Sequence, residues 1–268
     1  TNFSGGSITV LNGSLNSSFA RISDTVYTAT FTPNANNETG KTVCSISVAA
    51  GTFTDAVGNY NSIHSNTFDW TFDNTAPILT IAANTVTDGL TTNVTSGSST
   101  NKTSINLIFT STEPINNYNI TGITFNNAPF SGSLTTTDNK VYTTTINNPI
   151  QGENTISVAP GTFIDAAGNS NTNPSNIFTW FYDITAPTMT IESTTAGVAS
   201  VSSTNKTFIE LKFTSLEPIS DFTSSDITFN NATFLGSLTT TDNKVYTTTI
   251  SNPVPGQNTI SVAAGTFI

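Results

Sequence analysis

Trp180-Phe181-Tyr182-Asp183-Ile184-Thr185-Ala186-Pro187 recurs, loosely copied, as Trp70-Thr71-Phe72-Asp73-Asn74-Thr75-Ala76-Pro77. Each copy follows a loop reading Gly-Thr-Phe-x-Asp-Ala-x-Gly-Asn, at Gly51 to Asn59 and at Gly161 to Asn169, so loop and strand keep one constant offset. Phe178, Trp180 and Tyr182 alternate with polar or outward residues, as do Phe68, Trp70 and Phe72, which is the period of a half-buried strand. Pro and the turn-forming Asp then stop the strand. The stretch therefore predicts the last strand of one domain followed by the hinge into the next.

Working outward, the repetition covers the chain. Ser99 to Thr103 matches Ser203 to Thr207, Glu113-Pro114 matches Glu217-Pro218, and Gly132 to Ile146 matches Gly236 to Ile250 residue for residue. Residues 1–77 read as the back part of a more divergent copy, with Ile8-Thr9-Val10 placed like Ile123-Thr124-Phe125 and Val26-Tyr27 like Val141-Tyr142. The expected organisation is the C-terminal part of one repeat at 1–77, a complete repeat at 78–187 and the N-terminal part of a third at 188–268. The chain is expected to be a window on a longer array. The second repeat has extra residues around 85–98, rich in Thr, Ser and Gly, which read as a surface loop.

Thr, Ser and Asn dominate the composition, and only 9% of residues are charged, with a net charge of −10. So few Lys and Arg argue against nucleic acid. Polar residues interleaved with apolar ones, and 10% aromatics, argue against disorder. Cys44 is the only cysteine, which rules out an intrachain disulfide; its strand-like setting points to a small structural side chain. No apolar run has the length of a membrane-spanning helix, so no membrane insertion is expected within this segment.

About seven short strands are expected per repeat, in the second at roughly 78–82, 104–110, 120–126, 131–136, 140–147, 154–159 and 176–182. Ile209, Leu211 and Phe213 facing one way and Glu210 and Lys212 the other typify the pattern. Helical periodicity is absent. Seven strands in a unit of about a hundred residues predict an all-β fold of tandem immunoglobulin-like sandwiches.

The motif order is strand-Glu-Pro, Ile-Thr-Phe, Val-Tyr-Thr-Thr-Thr, Gly-Thr-Phe-x-Asp-Ala-x-Gly-Asn and Trp-x-x-Asp-x-Thr-Ala-Pro. It resembles the bacterial immunoglobulin-like tandem repeats of large secreted adhesins and other giant cell-surface proteins. The resemblance spans essentially the whole chain. It implies extracellular, extended, non-catalytic modules placed head to tail with neighbouring repeats or subunits, some of whose relatives are stiffened by calcium at domain junctions. Two departures stand out: the divergent first copy, and Gly122 where the third copy carries Asp226.

Catalytic constellations are scarce. A single histidine, His64, and a single cysteine leave no repeated Cys–His pair and no zinc set. No enzyme is expected. One candidate site follows from strand direction: the second strand of a sandwich returns to the pole where the chain entered, and the sixth does the same. Asp73 from the hinge, Glu113 and Asp165 should then converge; the next junction would pair Asp183 and Glu217 with an acid past residue 268, and Asp226 would lie near them. An oxygen-only carboxylate set suits Ca²⁺. Each acid also has a plain turn-forming role open to it, and both readings stand at this point.

Nine Asn-x-Ser/Thr sequons occur, including one at Asn37, but abundant Asn, Ser and Thr alone predict about ten. Position distinguishes Asn101 and Asn205, which share a repeat position beside a polar loop; Asn93, Asn119 and Asn231 come next as possible carriers of attached glycans. Two functions fit these readings. The first is a structural rod, stalk or filament at a cell surface. The alternative is an adhesive or carbohydrate-binding module, for which Phe181 and Tyr118 are the expected exposed aromatics.

Overall fold

The computed structural model describes residues 2–16, 19–34, 40–130 and 132–268. It is all-β, apart from three single-turn 3₁₀ helices among the described residues. Two compact units divide the chain, Thr1–Asp183 and Ile184–Ile268.

In the first repeat β1 (Ile8–Leu11) pairs with β6 (Lys41–Val48), and β6 with β7 (Phe68–Asp73). The short strands β2 (Gly13–Leu15) and β5 (Phe31–Pro33) pair with each other, as do β3 (Ala20–Arg21) and β4 (Tyr27–Thr28). Its packing is aromatic: Phe3 meets Phe19, Tyr27 and Phe53, and Phe31 meets Trp70 edge-on. Cys44 is fully buried on β6, in the structural role expected of it.

The second repeat is a two-layer sandwich. Its strands are β8 (Leu79–Thr87), β9 (Leu90–Val94), β10 (Ser99–Thr100), β11 (Ser104–Ser111), β12 (Ile115–Asn116), β13 (Ile123–Asn126), β14 (Thr135–Thr136), β15 (Val141–Asn147), β16 (Gly152–Val158), β17 (Ile164–Asp165) and β18 (Phe178–Tyr182). One sheet has the order β14-β15-β11-β8-β9 and the other β10-β18-β16-β13. This is the four-on-three strand arrangement of an immunoglobulin sandwich with β9 and β10 added at the edges. Alternate residues of both sheets fill the space between them. Ile105, Leu107 and Phe109 come from β11, Ile156 and Val158 from β16, and Phe178, Trp180 and Tyr182 from β18. Trp180 is fully enclosed, which makes the aromatic strand a main contributor to the core.

In the second unit β19 (Met189–Ser193), β20 (Phe208–Ser215), β22 (Thr233–Thr240) and β23 (Val245–Ser251) form one sheet, while β21 (Ile227–Asn230) pairs with β24 (Thr259–Val262). Its core centres on Leu211, Phe213, Ile219 and Tyr246. Register confirms the repeat alignment: Ile8 pairs with Val48, Ile123 with Val158, and Ile227 with Val262.

Three expectations are corrected. Residues 85–94 are no loop: β8 continues to Thr87, turns at Asp88-Gly89 and returns as β9, leaving only 95–98 as a turn. Both turn residues have positive φ, 50° and 79°, the geometry for which Asp-Gly is the favoured hairpin pair. Residues 120–122 form a 3₁₀ turn ahead of β13, capped by Asn119, where a strand was expected. The strand expected at 131–136 reduces to β14, residue 131 lying outside the described residues.

Candidate metal centre at the first hinge

The Gly-Thr-Phe-x-Asp-Ala-x-Gly-Asn loop builds the same turn in both repeats. Asp165 Oδ1 accepts the Ala167 and Asn169 N–H groups at 2.8 Å each, and its Oδ2 accepts Asn169 Nδ2 at 2.8 Å. Asp55 repeats this with Val57 and Asn59, every distance 2.9 Å. The turn role therefore holds for both aspartates. Their settings differ: Asp55 is exposed, whereas Asp165 is 1% exposed. Burial pushes the Asp165 carboxyl upward, but the hydrogen bonds from Asn169, Ala167 and Gly168 outweigh it and hold the group below its ordinary value.

Asp165 is buried because the hinge lies against it. Asn169 Nδ2 also donates to the main-chain oxygen of Asp73 at 3.1 Å. Asp73 Oδ1 accepts the Thr75 N–H at 3.0 Å, and Thr75 Oγ1 donates to the Gly40 carbonyl at 3.1 Å, which folds the chain into the bend that leads to buried Pro77. Glu113 follows β11, its N–H 3.5 Å from Ser111 Oγ, and Pro114 ends the strand behind it.

Asp73, Glu113 and Asp165 each place one carboxylate oxygen so that the three lie within 4.8 Å of one another. The convergence expected from strand direction is thus present. Sequence reasoning missed the cation already there. Lys41 Nζ stands 2.9 Å from Glu113 Oε2 and 3.2 Å from Asp73 Oδ2, and the two carboxylates raise its pKa, Glu113 most. The signal was in the repeat: Lys41 lies across the β6–β7 ladder from Asp73, in the place that Gln151 takes one repeat later.

Of the second set, Asp183 ends the first unit and accepts Gln151 Nε2 at 2.8 Å. Glu217 and Asp226 belong to the second unit. Glu217 repeats the contact of Glu113, its N–H 3.4 Å from Ser215 Oγ. Asp226 caps its own 3₁₀ turn, Oδ2 accepting the Thr223 N–H at 2.7 Å. Ser7 closes the corresponding turn in the first repeat, which accounts for the residue type without a metal; Gly122 forgoes that cap where an added Cβ would come to 3.0 Å from Thr162.

The expected sugar platform loses one aromatic. Tyr118 is 8% exposed and packs edge-on against Phe109, Tyr142 and Phe163, because the chain after Pro114 turns inward under the sheet. Phe181 remains outward at 38% exposure. A hollow of about 510 Å³ on the outer face of the first sheet is lined by amides and hydroxyls such as Asn84, Asn106, Thr143 and Thr145, with no aromatic ring. Asn101, Asn205, Asn93, Asn119 and Asn231 are all exposed, while Asn37 lies outside the described residues.

No curated protein and no solved structure matches the chain. Residues 1–72 match the family model described as Bacterial Ig-like domain. That span carries the first copy of the loop, Gly51 to Asn59, and the start of the aromatic strand through Phe72. Residues 1–72 are thus similar to a bacterial immunoglobulin-like domain, and the later repeats share its strand register.

Proposed function

We propose that this chain is a section of an extracellular rod, stalk or filament at a cell surface, built from repeats that dock head to tail. The observation that carries the reading is the first hinge. There Asp73, Glu113 and Asp165 converge from the hinge and from two separate parts of the second repeat. Bacterial immunoglobulin-like domains are typically non-enzymatic surface modules, and tandem copies with neighbour-to-neighbour contacts behave as quasi-one-dimensional scaffolds.

Ca²⁺ would stiffen the hinge by joining carboxylates that otherwise repel, since it takes six to eight oxygen ligands and tolerates irregular geometry. Asp73, Glu113 and Asp165 supply the acids, and water completes the set. Asp183 and Glu217 hold the sequence positions of Asp73 and Glu113 one repeat later. The test is thermal melting of the chain in calcium chloride and in chelator. A higher midpoint with calcium, lost in Asp73→Asn and Glu113→Gln, supports the reading; superimposable curves remove calcium from it. Electron microscopy of the native material tests the rod itself, which requires an axial repeat near one domain length.

Attached glycans belong to the same proposal, with Asn101 and Asn205 first. Asn119 and Asn231 are less suited, because Asn119 Nδ2 donates to the Asn117 carbonyl and Asn231 Nδ2 to that of Gln257. An intact mass equal to that of the bare polypeptide would exclude them.

A further inference from the structure

Lys41 enters the acidic cluster from the first repeat and touches an acid of the second. Its side chain is 46% exposed, whereas those of Asp73 and Glu113 are 4% and 14% exposed. The acids are thus walled in by protein, and the lysine reaches them from the solvent side. Without a cation, carboxylate oxygens this close would repel one another, most strongly where water is excluded. The ammonium offsets one of the three negative charges and ties together two segments that belong to different repeats.

We propose that Lys41 is the resident cation of this hinge: its ammonium fastens the first repeat to the second without a metal ion, and sets how readily a divalent ion enters. The proposal rests on the cation-binding reading only in its second half. A divalent ion gains Asp73 and Glu113 as ligands when Lys41 withdraws toward solvent, so the lysine competes with it. The second repeat offers an internal comparison. Gln151 occupies the corresponding strand position and also donates to its hinge aspartate, Asp183. An amide fills that role without charge, so it neither neutralises Asp183 nor repels an incoming cation. Lys41 and Gln151 thus differ in charge at one repeat position, while each donates to the hinge aspartate opposite it.

The experiment uses the full chain and three forms: wild type, Lys41→Gln and Lys41→Arg. Amide exchange of Thr75 and Ala76 is followed in chelator, and Ca²⁺ is titrated calorimetrically. The expected result is faster hinge exchange for Lys41→Gln in chelator, rates near wild type for the charge-keeping Lys41→Arg, and a Ca²⁺ Kd for Lys41→Gln lower by about tenfold or more, since it no longer has a buried-acid contact to displace. If no form binds Ca²⁺ but Lys41→Gln still loosens the hinge, the calcium reading falls and the lysine fastener stands. Equal Ca²⁺ affinity together with unchanged exchange in Lys41→Gln overturns the proposal about Lys41 while leaving calcium in place. Both variants keep the ladder partner of Asp73, so loss of the fold is not the expected cause of either result. Should Lys41→Gln nevertheless unfold, the Lys41→Arg and Glu113→Gln pair gives the same decision. Wild-type exchange in Glu113→Gln overturns the fastener.

Discussion

The side-chain amide of Asn169 donates both to the carboxylate of Asp165, four residues before it, and to the main-chain oxygen of Asp73, ninety-six residues before it. One residue therefore closes the loop of the second repeat and holds the hinge from the first. Replacing Asn169 by Ala removes both contacts and leaves Asp165 buried with a poorer hydrogen-bond set. A loss of about 2–3 kcal/mol is expected for the second repeat, because a buried charged acceptor loses its partner. Asn59→Ala in the exposed copy of the same loop should cost far less. Denaturant melts of the two variants compare them directly; equal losses would show that burial at the hinge contributes nothing.

Acid should act on the same group. The folded-state pKa of Asp165 lies below the ordinary 3.8, so its contribution is present above that value and is lost as pH falls through the lower folded one. Wild type and Asp165→Asn should differ clearly at pH 6 and converge below pH 3.8. A gap that stays constant with pH would assign the effect to shape in place of charge.

Tyr118 offers a stabilising change. Its hydroxyl is buried without a hydrogen-bond partner, and burial pushes its pKa up strongly. The third repeat has Phe222 in this place, packed against Phe213, Tyr246 and Phe267 as Tyr118 is against their counterparts. Tyr118→Phe should stabilise the second repeat by about 1 kcal/mol or more, since the desolvation cost of the orphan hydroxyl disappears. A destabilised variant would mean that the hydroxyl has a partner in solution.

These residues also show what could be read in advance. The alternation around Trp180 and Phe213 located the strands, because one buried face per strand leaves a period of two. Strand direction brought Asp73, Glu113 and Asp165 to one pole. Lys41 escaped notice because its divergent repeat hid its partner across the ladder, and an ion pair between distant segments leaves no periodic trace. Tyr118 escaped for a different reason: it follows a Pro-terminated strand, and no alternation records that the chain there dips under the sheet. The hairpin at Asp88-Gly89 was legible by its turn pair and was masked by the polar composition around it.

Pro129 carries the last prediction. In the third repeat β22 runs beside β23, with Thr233 opposite Ser251, Leu235 opposite Thr249 and Thr239 opposite Thr247. The second repeat has Thr135 opposite Thr143 in the same register, but Pro129, at the position of Thr233, lies outside any strand. Asn148 N–H bonds Thr103 and Ser111 N–H bonds the Lys140 carbonyl, so even-numbered residues of β15 face β11. Odd-numbered ones, Asn147 among them, face the side that Pro129 would have to complete. Proline has no N–H to give there. Pro129→Thr restores the donor to the Asn147 carbonyl. The strand can then close and pair the Asn147 N–H with the carbonyl of residue 129, which should slow amide exchange at Asn147. The gain of about 1 kcal/mol from a hydrogen bond is offset by the loss of about 0.4–1 kcal/mol that proline contributes by restricting the unfolded chain. The melting midpoint should therefore barely move, and exchange at Asn147 is the measurement that decides; an unchanged rate would show that the strand is kept open by something other than the missing N–H.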